Sequence, residues 1–571
     1  MLGCEKPAET KQLPLTVIKI KQMKKTIYLI IILIGFTNSL SSQDSIQFVL
    51  VKDINPQLYS SSGPHFFTEL NENFLFVATG DSVGVELFIS DGTTSGTNLL
   101  RNINTYHQIP SDPYDNSSDP HELIKLDNKV IFYANDDIYG YEPWITNGTY
   151  EGTQILKDID IGEDSSYPEN FFVYNNKIVF GADETSGAGR KLYITDGTEQ
   201  NTFKLKDINN EDVYEPWNFY EYNNILYFRA EQTMYSDGLW RTDGTESGTY
   251  VIESECSNPS GFIEYNNLLF FSAEGDNIGR ELWVSDGTVD GTYIYKDINE
   301  ISGNGSHPSD FIIFKEKLYF KADDGIHGTE LWCADGDTTY MVVDIYEDIG
   351  SLAYSIFHVY NNMLYFTARY ADWADKTLWV TDGTEEGTYE LLSNENTPIE
   401  RPSSFIEWNN NLIFVAQKSN TENFQLWITN GISENTKQIF PDSIAGWNSV
   451  STSELFLFNN EIYFSATYDQ SIGAELYKLT DSSTINIPEI QNQSNELILY
   501  PNPVIDKLTI QIKNNVYEKN IYIQNIQGSI IYRKNINDEV ATLDLSSLHS
   551  GVYIVVIKIN DVLYEKKFIK I

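Results

Sequence analysis

A sequence that repeats itself at a steady interval can fold only as an array of like units. This chain does so nine times between residues 66 and 480. The cleanest copy, residues 261–299, reads GFIEYNNLLFFSAEGDNIGRELWVSDGTVDGTYIYKDIN. Four short runs, 262–265, 268–273, 281–285 and 292–298, are rich in β-branched, aromatic and aliphatic residues, and turn chemistry separates them. Asn266-Asn267 suits a two-residue hairpin, because Asn tolerates positive φ. Asp286-Gly287-Thr288 offers a side-chain cap and a left-handed glycine. The run Leu268-Leu269-Phe270-Phe271 is apolar without alternation, so both faces of that strand need cover.

Four antiparallel strands per unit, covered on each side by the next unit, predict an all-β fold, a large β-propeller. The third-strand aromatics are Phe88, Trp144, Tyr193, Trp240, Trp283, Trp332, Trp379, Trp427 and Tyr477. Eight intervals cover the 389 residues from first to last, about 48.6 each, which suits one blade and its connection. Nine units are counted; eight blades remain open if one worn unit is not a blade. The last unit stops at 475–479 without a fourth strand, while residues 48–55 (FVLVKDIN) match the fourth strand of the clean copy. The N-terminal strand is therefore expected to complete the last blade and hide two sheet edges.

The net charge of −44 is unevenly spread. Residues 43–495 hold 23 basic and 72 acidic residues, whereas 496–571 hold nine and eight. So acidic a surface excludes nucleic acid as a partner and disfavours anionic lipid. It fits cations, cationic partners or neutral glycans, or a merely solvated surface. Cys4, Cys256 and Cys333 show neither disulfide nor metal spacing.

Residues 1–42 form the signal-peptide region, with the true start placed at Met1 or Met23. Lys24 and Lys25 precede an apolar run, 28–36, that is too short to span a membrane comfortably, and Ser39, Ser41 and Ser42 offer a cleavage site. The chain is not expected to be an integral membrane protein. Residues 43–480 are assigned to the propeller and the polar stretch 481–496 to a linker. Residues 497–571 contain seven short strand-like runs, which predict a small β-sandwich.

That tail carries Leu499-Tyr500-Pro501-Asn502-Pro503, then Asn525-Ile526-Gln527-Gly528, then Leu543–Leu548 with Ser550-Gly551-Val552-Tyr553, and finally Lys566-Lys567-Phe568-Ile569. In these blocks it resembles the type A C-terminal sorting domain of the type IX secretion system of Gram-negative bacteria. Pro501, Asn502, Pro503, Gly528, Gly551, Tyr553, Lys566 and Lys567 are the matching motif positions. The resemblance implies export through the outer membrane by the type IX machinery. Its sortase would remove the tail near the linker, with attachment to the cell surface or release. The repeats resemble those of ELWxxDGT-repeat proteins, with Glu281-Leu282-Trp283 and Glu330-Leu331-Trp332 intact and worn copies elsewhere. That second resemblance implies no defined ligand or activity.

Topology sorts the residues that could bind. The Asn-Asn and Asp-Gly-Thr turns share one rim, short and regular. Second-to-third loops and blade connections share the other, where irregular loops are expected to carry function. Tyr106, Tyr114, Tyr167, Trp373, Trp447 and Tyr468 are its candidate ligand-binding aromatics, as platforms for sugar rings. Asp136, Asp137, Asp183, Asp276, Asp323 and Asp324, with Glu184 and Glu274, are weak candidates for Ca²⁺, without the spacing of a calcium loop. No other cofactor is expected, and no catalytic constellation stands out. The reading is a secreted binding or adhesion module for a glycan or protein ligand. The alternative is a secreted polysaccharide-degrading enzyme with an acidic cleft in the propeller funnel.

Overall fold

The computed structural model describes residues 46–570, save for 106–115, 370–374, 442–447, 482–496, 513–518, 526–529 and several stretches of three residues or fewer. Residues 48–480 form one compact unit, and the tail belongs to another.

Among the described residues the larger unit holds nine antiparallel blades: 65–101, 121–155, 169–204, 214–253, 257–296, 309–343, 358–390, 400–439, and 449–481 with Ile46–Lys52. Nine, not eight, is the count. In blade 5 the strands are Ser257–Tyr265, Leu268–Gly275, Gly279–Ser285 and Tyr293–Lys296. Asn266 and Asn267 stand at φ 52° and 60°, both positive as a type I′ hairpin requires.

The apolar second strand is covered on both sides, residue by residue. Leu269 and Phe271 pack with Tyr227 and Leu239 of blade 4, while Phe270 packs with Leu318 and Phe320 of blade 6. In every blade the third-strand aromatic stands opposite a second-strand Phe, from Phe76↔Phe88 through Phe271↔Trp283 to Phe464↔Tyr477. These aromatics are buried, Trp379 partly so. Large rings at that position fill the wedge between adjacent sheets.

First strands of successive blades lie against one another, which places them at the hub. Thr68 Oγ1 donates to Leu123 O, and Phe171 N donates to the Glu122 carboxylate, each from one blade to its neighbour. The N-terminal strand Ile46–Lys52 pairs with Glu475–Asp481 as the outer strand of blade 9. A single cluster then joins Val51 and Ile54 with Phe74 and Phe76 of blade 1 and with Tyr463 and Leu476 of blade 9. The ring is closed.

The tail folds as two antiparallel sheets. One contains Leu497–Tyr500, Lys507–Ile512 and Val540–Asp544; the other contains Lys519–Asn525, Ile530–Ile536, Gly551–Ile559 and Val562–Lys570. Each of the seven expected runs overlaps one of these strands. Leu508, Ile510, Ile523, Leu543, Val555 and Phe568 fill the space between the sheets. Among the described residues no helix is long and apolar enough to cross a membrane.

Candidate functional site

The glutamate that opens the third strand is a clamp on the connection to the next blade. Glu281 is fully buried and accepts from Ile298 N (2.9 Å), Asn299 N (3.4 Å), Ser306 N (2.8 Å) and Ser306 Oγ (2.5 Å). Glu86, Glu142, Glu330 and Glu475 are equally buried and hold their connections in the same way, each through a serine hydroxyl. Burial raises the pKa of Glu86 to about 8 and of Glu142, Glu330 and Glu475 to about 7, against the lowering pull of their donors. Where Lys191 and Thr377 replace the glutamate, the third strand pairs directly with the next blade's first strand, at Tyr214 and Glu400.

Past the clamp the chain enters seven of the nine blades, all but blades 7 and 9, through an x-Pro step. Gly63, Asp119, Tyr167, Glu215, Asn258, His307 and Arg401 all have positive φ, and so do the residues three positions on, Phe66, Glu122, Asn170, Asn218, Gly261, Asp310 and Ser404. Left-handed backbone at Phe66 or Tyr167 is costly and persists only when the surroundings fix it. Here the x amide is fixed to the preceding blade: Tyr167 N donates to Tyr141 O, His307 N to Arg280 O and Arg401 N to Lys376 O. The lead-in serines bind the ends of second strands, as in Asp183 N to Ser166 O. These steps therefore lie on the irregular rim. The recurring Ser-x-Pro at Ser62, Ser118, Ser166 and Ser306 was the sequence signal for them.

On that rim lead-in residues of three blades, with Tyr133 and Tyr141 from the second and third strands of blade 2, build an aromatic arc. His65 meets Phe66 at 4.7 Å between ring centroids, Phe66 meets His121 at 5.3 Å, and His121 stacks on Tyr133 at 5.3 Å. Tyr133 then meets Tyr141 at 6.1 Å, and Tyr141 stacks on Tyr167 at 5.6 Å. Phe66 (39 %) and Tyr167 (46 %) are the exposed residues of the arc. Polar groups flank the arc. Asp119 accepts from Tyr141 Oη, and Arg190 binds Glu169 at 2.7 Å, Glu215 at 3.6 Å and the Tyr167 carbonyl. Burial, with nearby carboxylates, lifts the Tyr133 and Tyr141 hydroxyls to about 12, so they stay protonated donors. Glu122 and Glu454 bind amides of first strands at the hub, and burial raises both carboxyls.

Of the expected aromatics, Tyr167 joins the arc. Tyr468 does not reach solvent and is corrected: at 4 % exposure it packs edge-on against Phe48, Phe464 and Tyr477, sealed by the closing strand. Tyr106, Tyr114, Trp373 and Trp447 lie outside the described residues, as do the signal segment, Asn502 and Gly528. Among the acidic candidates, Asp136 caps Ile138 N and Tyr139 N; Asp323 caps Gly325 N; Asp324 caps Ile326 N and His327 N and binds His327 Nδ1. Asp137 takes positive φ in its turn, Asp276 is exposed, and Asp183 is half-buried with its pKa raised by burial. Among the described residues no group of three or more His, Cys, Asp or Glu is arranged to hold a metal ion. In the tail, Tyr553 stacks on Phe568 at 5.7 Å, next to Lys566 and Lys567 in the last strand.

On the regular rim each Asp-Gly-Thr carboxylate serves its own turn. Asp286 Oδ1 accepts from Thr288 N and Thr288 Oγ1, Ser285 and Thr292 share a hydroxyl bond, and the donors lower the Asp286 pKa. A Cβ at Gly291 would collide with that carboxylate, which explains the second glycine of the motif. A groove of about 670 Å³ also lies on this rim between blades 7, 8 and 9, lined by Asn361, Asn409, Asn410, Asn430 and Asn460 with Glu407.

Residues 498–571 match the secretion system C-terminal sorting domain. The tail is thus a type IX sorting domain, and the protein is a secreted or cell-surface one. A curated relative, the ulvan lyase NLR42 of Nonlabens ulvanivorans, is 32 % identical over 113 residues, 19 % of this chain. The chain spans about a fifth of that relative's length. Among solved structures, PorZ, an essential surface component of the type IX secretion system of Porphyromonas gingivalis, is 12 % identical. It covers 88 % of this chain and 80 % of its own, at a TM-score of 0.29. The β-propeller domain of the Trilobed protease from Pyrococcus furiosus is 10 % identical, covering 55 % and 97 %, at 0.30.

Proposed function

We propose that this chain is a secreted or surface-displayed binding module that holds a glycan on its irregular rim, exported by its type IX tail. The observation that carries this reading is the six-ring arc from His65 to Tyr167, open at Phe66 and Tyr167. The exposed parts of Phe66 and Tyr167 suit the apolar face of a sugar ring, and Arg190, Asp119 and the tyrosine hydroxyls supply hydrogen bonds at the edge. A glycan array paired with a hydrolysis assay tests it. Binding without turnover is expected, with Tyr167→Ala or Phe66→Ala weakening it at least about tenfold, some 1.4 kcal/mol. Unaltered binding by both variants would reject the arc.

One observation favours a catalytic second reading. Glu122 and Glu454, carboxyls raised by burial, both stand at the hub beside the arc, and a raised carboxyl is what a general acid requires. The partial likeness to an ulvan lyase leaves binding and cleavage both open. Product release abolished by Glu122→Gln would select the enzyme.

A further inference from the structure

Residues 43–495 carry 72 acidic against 23 basic residues, yet one cavity on the irregular rim of the propeller reverses that balance. It measures about 360 Å³ and is lined by Arg369, Lys376 and Arg401, with Asp375 as the one carboxylate and Thr367 as a hydroxyl. Arg369 follows the second strand of blade 7, Met363–Ala368, and Lys376 precedes its third, Thr377–Thr381. Arg401 sits at the strained x-Pro step of blade 8, at φ 50°. The cavity thus occupies the same rim as the aromatic arc.

The backbone holds these cations in place. Arg369 N donates to Ser351 O and its Nε to Gly350 O, while Arg401 N donates to Lys376 O. Asp375 is already engaged: Arg401 reaches its Oδ1 with Nε at 2.7 Å and Nη2 at 2.6 Å. The lining thus gathers three cationic side chains around one carboxylate. Lys321 lies near, tied to Asp310 at 2.6 Å. Burial, then the Lys321 and Arg369 charges, pull the Lys376 pKa down against the raising pull of Asp310. Like charges gathered in a half-buried site cost free energy that a bound anion would relieve.

We infer that this cavity receives the anionic group of an acidic sugar, a carboxylate or a sulfate ester, from the glycan held on the same rim. The inference rests on the glycan reading and narrows its ligand class. The volume is near the lower end for small-ligand pockets and suits one ring with its acidic substituent. Arg369 offers the planar fork that pairs with a carboxylate or sulfate, and Lys376 a point charge beside it. The surrounding acidic surface repels anions in general, so only a chain placing its charge in this cavity is favoured.

Affinities of the purified full chain for three immobilised probes test this: oligogalacturonate, a sulfated galactan oligosaccharide and a neutral cello-oligosaccharide. At least one acidic probe should bind tighter than the neutral one. Arg369→Gln and Lys376→Gln should each weaken that binding about tenfold or more, reduce its salt dependence and leave neutral binding unchanged. Inorganic sulfate should raise the melting temperature over chloride at equal ionic strength in the wild type, less so in Arg369→Gln. Arg369→Lys, which keeps the charge, should retain part of the preference and report on folding. Equal affinity for acidic and neutral probes, binding by none of them, or acidic binding indifferent to both Gln variants overturns the inference. Tyr167→Ala weakening every probe alike, with no acidic preference in the wild type, would leave the arc standing and remove this cavity. Acidic binding lost in the Gln variants but untouched by Tyr167→Ala would keep the cavity and reject the arc.

Discussion

Ser62 Oγ donates to Glu475 Oε2 at 2.6 Å although 413 residues separate them along the chain. The same carboxylate takes Ile54 N at 2.8 Å and Ser62 N at 3.1 Å. It is the contact Glu281 makes with Ser306 inside the ring, reproduced between the two ends of the propeller. Closure therefore uses no special device; it reuses the joint that links ordinary blades.

Glu475→Ala should accordingly destabilise the ring by about 3 kcal/mol or more, because it strands several buried donors. Glu475→Gln should cost less, since its carbonyl still accepts. Denaturant unfolding measures both. Equal stability of Glu475→Ala and wild type would show that the joint carries nothing.

Stability should fall as pH rises across neutrality. The clamp carboxyls titrate near 4.5 in the unfolded chain but at about 7 for Glu142, Glu330 and Glu475 and about 8 for Glu86 in the folded ring. Between those values the folded state binds more protons, so their stabilisation is full below about 4.5 and is lost through 7 to 8. The Asp-Gly-Thr aspartates act oppositely, but only at and below their ordinary 3.8. Melting temperatures should decline from pH 5 to pH 8.5, less steeply in Glu475→Gln. A rise over that range would contradict the assignment.

Gly291→Ala tests the turn. The added methyl meets the Asp286 carboxylate and should cost about 1–3 kcal/mol, as overpacking does. Gly303→Ala, whose Cβ meets nothing within 4 Å but whose φ of 80° strains any side chain, gives the cost of backbone strain without a contact. Unchanged stability of Gly291→Ala would mean that this contact does not select the motif's second glycine, whose φ is not left-handed.

Removal of residues 497–571 should leave the propeller folded and hold it inside the outer membrane, because the seven strands of the tail close their own core around Leu508, Val555 and Phe568. Surface protease accessibility and cell fractionation read this out. Undiminished surface display of the truncated chain would refute a sorting role.

Much of this architecture was legible in short-range chemistry. Asn266-Asn267 announced its hairpin, and the unbroken apolar run 268–271 announced two covered faces, because turns and strand periodicity are local. The clamp was not: Glu281 reads as an ordinary strand residue until Ser306, 25 residues on, folds back onto it. Tyr468 was misread for a similar reason. It follows a strand that ends at Thr467, as a loop residue would, but Phe48 arrives from the other end of the chain to cover it. The aromatic arc joins His65 to Tyr167 through left-handed steps at Phe66 and Tyr167, which residue type disfavours and only the recurring Ser-x-Pro marks in the sequence. The cationic cavity was hidden by the overall charge, since Arg369, Lys376 and Arg401 are scattered in an acidic sequence.

A cross-link across the closure tests the central claim most directly. Ser61 Oγ accepts from Ala474 N at 2.9 Å across the closure, so Ser61→Cys with Ala474→Cys brings two thiols together only if the ring is shut. Cys256 and Cys333 are buried and do not compete. The closed ring predicts that the double variant oxidises to a species of altered mobility, from which digestion releases peptides around 61 and 474 joined together. Two thiols that remain free to alkylating reagent under the same oxidant would contradict a propeller sealed by its own N-terminal strand.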